Sequence, residues 1–222
     1  VDAHLKAWSN TRAGLYEYQI MAAMLGVLFD RGCPRPAYAP TIGGGPNAAI
    51  LHYTRNQRRL RKRELLLIDV GGEYGHYAAD ITRTMPVGDS YSHEQAAVYD
   101  VVSEAQRAAI ETVRSGTTYA EVHDCAIRRL VDGMSELGLL EGSAEEIIGS
   151  KAYTRYYMHR TGHWLGMDVH DAGDYRDGAR KLMPGMVMTV EPGIYLPGWG
   201  GVRIEDDVLV TRDGCEVLSS VP

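Results

Sequence analysis

Nine consecutive positions, His163-Trp-Leu-Gly-Met-Asp-Val-His170-Asp171, carry two histidines and two acids, and a third histidine, His159, lies just upstream. That density suits a metal site or a proton relay. The zinc pattern of two histidines on one helical face with a glutamate between them is absent, and Gly162 and Gly166 point to strand and loop instead of helix. Acids occupy equally unusual settings. Asp69 sits in the apolar run Leu65-Leu-Leu-Ile-Asp-Val70, where a carboxylate is costly to bury. Asp80 follows one hairpin later, in a position to face Asp69 across paired strands. Glu191 occurs in Val190-Glu-Pro-Gly193 and Glu205 in Arg203-Ile-Glu-Asp-Asp207. Inward carboxylates repel one another unless they share a cation or a proton. Two divalent ions balance four such acids and generate hydroxide at neutral pH by lowering the pKa of bound water. Ligation rich in oxygen and free of sulfur favours hard ions such as Mn2+ or Mg2+. A neutral imidazole, with His163 the candidate, brings other first-row transition ions into range. Asp168 and Asp171 are surplus to that cage and are expected to be structural.

Several helices and hairpins must position these groups. Capping boxes at Ser92/Gln95, Thr118/Glu121 and Ser143/Glu146 open three helices. The first carries the apolar stripe Val98, Val102, Ala105, Ala109, Val113, and the second Val122, Ala126, Leu130, Met134, Leu137. An earlier helix is expected over 15–30. Strand-like runs cover 65–70, 77–84, 186–190 and 202–211, separated by turns rich in Gly or Pro. A weak repeat links the halves. Arg12-Ala-Gly14 echoes Arg114-Ser-Gly116, and Asp69 and Asp80 are echoed by Glu191 and Glu205. A duplicated helix-then-hairpin unit follows, giving a mainly antiparallel sheet with helices over one face. No linker divides the halves, so residues 1–222 read as one domain.

Six ordered blocks sharpen the reading: Ile50-Leu-His52-Tyr-Thr54, Leu67-Ile-Asp69-Val-Gly-Gly72, Ala79-Asp80-Ile-Thr-Arg83, His159 through Asp171, Thr189-Val-Glu191-Pro-Gly-Ile-Tyr195 and Gly201-Val-Arg203-Ile-Glu205-Asp-Asp207. Together they resemble the catalytic domain of the pita-bread-fold metallopeptidases, most of all the Xaa-Pro aminopeptidases, with prolidases next. The resemblance implies an α+β pita-bread fold with a pseudo-twofold duplicated unit and a curved, mainly antiparallel sheet. It implies two divalent ions, Mn2+ first, with Co2+, Zn2+ or Fe2+ as substitutes. By position, Asp69 matches a terminal ligand of one metal, Asp80 and Glu205 match bridging carboxylates, and His163 and Glu191 match ligands of the second metal. His52, His159 and His170 match histidines lining the substrate site, and Arg203 an arginine that orients its neighbours. Tyr195 and Trp164 are candidate walls for a proline ring. The implied reaction removes the first residue from peptides with proline second. A metal-bridging hydroxide attacks, Glu191 carries the proton, and His170 or His159 donates to the oxyanion. Alternatives are an Xaa-Pro dipeptidase and, from another class, a metal-free binding module of the same fold, against which stand five retained ligand positions. Methionine aminopeptidases share the ligands, but the block from Trp164 to His170 resembles the proline-specific branch.

Composition narrows the classes further. In 222 residues, 45% are hydrophobic and 23% charged, as in ordinary globular chains. A net charge of −6 argues against nucleic acid as a partner, since such binding rests on phosphate neutralisation. Three dispersed cysteines suggest no disulfide framework, and a reducing, cytoplasmic setting is expected. No apolar run is long enough for a membrane span. Relatives in these subfamilies carry an additional N-terminal domain, so homodimerisation or association with a segment upstream of Val1 is expected. The run from Arg55 to Arg63 holds six basic residues in nine. It reads as a solvated loop or, functionally, as a lure for acidic peptides.

Overall fold

The computed structural model describes residues 1–174 and 179–220. Two helices, α1 (Asp2–Asn10) and α2 (Glu17–Asp30), precede the short strands β1 (Arg35–Pro36) and β2 (Thr41–Gly44) and a 3-10 turn at Gly45–Ala49. Then come β3 (Leu65–Asp69), β4 (Gly72–Tyr74), β5 (Tyr77–Ala78) and β6 (Thr82–Pro86). Helices α3 (His93–Thr112), α4 (Tyr119–Glu136) and α5 (Ala144–Ser150) follow. The second set of strands is β7 (Val187–Val190), β8 (Gly193–Leu196), β9 (Gly200–Arg203), β10 (Asp206–Val210) and β11 (Cys215–Val217). All three expected capping boxes form, with Ser92, Thr118 and Ser143 each accepting from the backbone of the third helical residue. Helix α1 carries no such signal, because Val1 makes no side-chain cap; it is held by burial of Ala3, His4 and Ala7.

Every strand pairing is antiparallel. β3 lies between β2 and β6 and is buried on both faces, which explains its unbroken apolar run. Leu66 and Ile68 pack with Ile20 and Met24 of α2. Leu65 and Leu67 pack with Val98 and Val102 of α3 and with Ile194 and Val202 of the second half. Side chains alternate along a strand, so Asp69 shares the face of Leu65 and Leu67 and turns toward the second half. Helices α3 and α4 also cover β7 and β10, through Ala109, Val122, Met188 and Val208.

The duplication reaches hydrogen-bond detail. Gly14 and Gly116 adopt φ of +94° and +90°, conformations that suit glycine. Gly14 donates its N–H to Leu60 O at 2.9 Å and Gly116 to Leu182 O at 3.0 Å. In return, Leu60 donates to Leu15 O and Leu182 to Thr117 O, each at 2.7 Å.

Two expected strands are broken. Residues 77–84 split into β5 and β6, and 202–211 split into β9 and β10, leaving Asp80 and Glu205 in the gaps. The first break follows from a close approach. A Cβ on Gly71 would lie 1.6 Å from Ala79 O, so the chain crosses itself there only because residue 71 is glycine. Asp69 consequently pairs in register with Thr82, and Asp80 does not face it as expected. The second break lets Glu205 donate its N–H to Thr82 O at 3.1 Å, joining the halves. Among the described residues, no helix is long and apolar enough to cross a membrane.

Candidate metal centre and substrate cleft

β3 ends on Asp69, β7 ends one residue before Glu191, and the two breaks hold Asp80 and Glu205. Equivalent positions of the two halves thus deliver four acids to one cleft. The segment before β7 adds His163. Its strand-like pairing runs through Thr189 N–H to His163 O at 2.9 Å and Glu191 N–H to Thr161 O at 2.7 Å. Gly162 permits this, since a Cβ there would lie 1.9 Å from Thr189 O.

His163 Nδ1 lies 3.1 Å from Trp164 O, so the neutral ring donates there and turns the Nε2 lone pair inward. That lone pair faces Asp80 Oδ2 at 3.3 Å and Glu191 Oε1 at 3.6 Å. Lone pair against carboxylate is repulsive unless a proton or a cation intervenes. A backbone carbonyl on the far nitrogen is also how metal-bound histidines are oriented. Asp80, His163 and Glu205 each offer a ligand atom, all within 4.8 Å of one another. Asp69 Oδ1 and Asp80 Oδ1 are buried without a hydrogen-bond partner. These residues fit a cation.

The electrostatics agree. Burial pushes the Asp69 carboxyl up to about 6, against the pull of Arg203. Burial likewise pushes Glu191 up to about 7 and Glu205 well above the usual carboxylate range. At His163 burial opposes the charged form, but Asp80 and Glu191 outweigh it and hold the ring up to about 9. Without a cation the cluster retains protons.

Arg203 organises the floor. It donates from Nη2 to Asp69 Oδ2, from Nη1 to Tyr195 Oη at 3.1 Å and from Nε to Thr82 Oγ1 at 3.1 Å. Thr82 donates its own hydroxyl hydrogen bond to Glu205 Oε2 at 2.6 Å.

The cleft has a volume of about 500 Å³, and His52, His159, His163 and His170 all line it, with the four acids and Arg203. His159 is more committed than its sequence position suggests. Its Nδ1 lies 2.7 Å from Arg160 O and its Nε2 2.7 Å from Tyr195 Oη. Burial, aided by Arg203, depresses its pKa to about 3. A neutral ring then donates from Nδ1 and accepts from Tyr195 at Nε2, with no N–H left for a substrate. His170 is exposed, its ring edge-on to His163 at 4.3 Å between centroids.

Two expected walls are corrected. Tyr195 is 1% exposed and lies behind His159 and Arg203 instead of lining the cleft. Trp164 packs in the core under α4, against Gly173. Asp171 is structural as expected, its N–H bonded to Trp164 O and its carboxylate against Gly166. Sequence reasoning missed Tyr38, whose buried hydroxyl is held well above its usual pKa by burial and by Asp69. It stands between Pro36 and Pro40 in irregular chain, where no periodicity marks it. Thr82 lay in a quoted block, yet a threonine in a strand carries no signal of its role.

The sequence profile of metallopeptidase family M24 matches residues 1–212. The chain belongs to that family. An Xaa-Pro aminopeptidase of Haemophilus influenzae is 44% identical over 98% of this chain and 53% of its own length. A human Xaa-Pro dipeptidase is 32% identical, covering 100% of this chain and 54% of its own. The structure of Pseudomonas aeruginosa aminopeptidase PepP superposes with a TM-score of 0.94 at 46% identity, covering 98% of this chain and 52% of that one. A zinc-substituted Escherichia coli aminopeptidase P in complex with product gives 0.95 at 40% identity, with coverages of 98% and 52%. This M24 chain therefore spans about half the length of the relatives it matches. It has their pita-bread, α+β fold.

Proposed function

We propose that the chain hydrolyses the bond between the first residue of a peptide and a proline in second position, as an Xaa-Pro aminopeptidase. One observation carries the reading: four acids, two of them with buried unpartnered oxygens, gather with the inward nitrogen of His163 in a cleft of peptide size. Asp69, Asp80, His163, Glu191 and Glu205 would hold two divalent ions. When bound, such ions acidify water and polarise a carbonyl. Mn2+ is favoured by the oxygen majority, with Co2+, Zn2+ or Fe2+ able to substitute.

The chain's own groups supply the rest. Glu191 accepts a proton from the attacking water and returns it to the proline nitrogen, which must be protonated to leave. His170, exposed where it lines the cleft, donates to the oxygen that becomes negative. His159, fixed between Tyr195 and Arg160 O, supports the wall. Leu51 and Val169 give the cleft an apolar surface, suited to a proline ring whose nitrogen carries no N–H.

The test is turnover of Xaa-Pro peptides of two to five residues by chelator-stripped protein given back each metal in turn. Cleavage of the bond before proline, restored by metal, is expected. Absence of turnover with two ions bound defeats the reading. Cleavage of the dipeptide alone selects a dipeptidase, the activity for which the 32% identical human relative is named.

A further inference from the structure

One carboxylate outside the acid cluster is fully buried and has no part in this chemistry. Glu17, the first residue of α2, is 0% exposed. Its Oε1 accepts from Gly44 N–H at 2.8 Å and Asn47 Nδ2 at 2.9 Å. Its Oε2 accepts from Tyr53 Oη at 2.8 Å and Arg58 N–H at 2.8 Å. A carboxylate offers about four acceptor sites, and here four donors use them. All four come from residues 44–58.

That stretch includes Leu51, His52 and Thr54 of the cleft wall, and after the turn at Gly45–Ala49 it forms no strand of its own. Its hold on the fold is therefore local. Tyr53, adjacent to His52, is tied to Glu17 by its hydroxyl. Asn56, in the left-handed conformation at φ 48°, accepts from Ile42 N–H and donates to Pro40 O. Glu17 also donates its own N–H to Arg58 O at 3.0 Å.

The basic run finds a use in the same place. Arg58 grips Glu64 with both terminal nitrogens, at 2.7 and 2.5 Å, and Arg59 Nε donates to Gly14 O at 2.9 Å. Two of its six charges bolt the wall to α2 and β3.

We propose that Glu17 is a positioning residue for the substrate: its carboxylate fixes the His52 wall of the cleft, and hence peptide affinity, without touching substrate or metal ligands. The inference deepens the function proposed above, because it takes His52 to face a bound peptide. Glu17→Gln keeps the volume but turns an NH2 group toward donors that need an acceptor, so part of the clamp is lost. For an Xaa-Pro tripeptide, KM is expected to rise about tenfold with kcat nearly unchanged, the signature of lost uniform binding. Mn2+ affinity by calorimetry stays at the wild-type value. The double variant Glu17→Gln/His52→Ala is expected to be no worse than His52→Ala, since residues acting through one contact are not additive. Hydrogen exchange is expected to accelerate over residues 44–58. An unchanged KM, additive effects, or weakened Mn2+ binding overturns the proposal. Should Glu17→Gln fail to fold, Tyr53→Phe removes one donor and is expected to move KM the same way. If the wild-type protein cleaves no Xaa-Pro peptide, the reaction assigned above falls. Hydrogen exchange then decides the positioning role by itself, and equal exchange in wild type and variant overturns it.

Discussion

Asp206 and Asp69 are buried to a similar degree, at 6% and 9% exposure, yet their surroundings follow opposite plans. Asp206 Oδ1 accepts from Arg83 Nη2 at 2.7 Å and Ser219 Oγ at 2.8 Å, and its Oδ2 accepts from Gln106 Nε2 at 2.7 Å. Asp69 spends one oxygen on Arg203 and leaves Oδ1 buried with no partner, and Asp80 Oδ1 is stranded in the same way. Native proteins rarely strand buried oxygens. Satisfied acids such as Asp206 and Glu17 hold the chain together, whereas the stranded pair Asp69 and Asp80 lines the cleft where a cation fits. The folded chain keeps the second set in repulsion because the same elements are fastened by the first. Arg83, between them, also donates to Glu205 O at 2.6 Å and so ties the break that presents Glu205.

The strongest test of this contrast is Asp80→Ala. Removing a shared ligand should lower turnover by at least about 10³-fold, or about 4 kcal/mol, with fewer than two ions retained by elemental analysis. Near-wild-type turnover with two ions bound would end the metal assignment. Asp206→Ala is the mirror experiment. It removes the buried carboxylate to which Arg83 Nη2 donates, a loss of about 3–5 kcal/mol in urea unfolding, while ion stoichiometry persists. If Asp206→Ala loses ions without losing stability, the two sets of acids are not distinct. Next in size, His170→Ala should lower kcat about 10²-fold with two ions still bound. His159→Ala should instead raise the mobility of Tyr195, whose hydroxyl loses its acceptor.

The five proposed ligands were legible because each breaks a local rule: an acid in an apolar run, or histidines crowded between glycines. The duplicated frame was legible for a similar reason, as Gly14 and Gly116 both punctuate helices that need a left-handed residue. What was hidden depends on geometry with no pattern in one dimension. The strand breaks at Asp80 and Glu205 arise from contacts between distant segments, Gly71 with Ala79 O and Glu205 with Thr82 O. Tyr195 was mistaken for a wall because an aromatic beside a ligand reads the same whether it faces the cleft or backs it. Glu17 escaped notice for the opposite reason to Asp69. At the first turn of a helix an acid is ordinary, and nothing in the sequence says that its four partners lie up to 41 residues away.

The last test of the contrast is in pH. In the metal-free chain, burial holds Glu191 up at about 7, and burial with the charge of Asp80 holds Asp207 up at about 8. His163 is held up at about 9 by Asp80 and Glu191 in spite of burial. Each group keeps a proton in the folded chain that the unfolded chain has already released, so these contributions to stability fade as pH rises. Burial depresses His4 to about 4 and His159 to about 3. Those two act in the opposite sense, losing stability as pH falls, but only below the unfolded histidine value of about 6.5. Between pH 6.5 and 9 these three groups therefore pull one way, and each retained proton should lower stability by up to about 1.4 kcal/mol per pH unit. Bound ions replace the protons of Glu191 and His163 and bind the folded chain, adding stability by mass action. Melting temperatures at pH 6.5, 7.5 and 8.5 should thus fall in chelator and hold or rise with Mn2+. A melting temperature that climbs with pH in chelator would mean that the stranded acids do not repel, and the contrast between Asp69 and Asp206 would lose its physical basis.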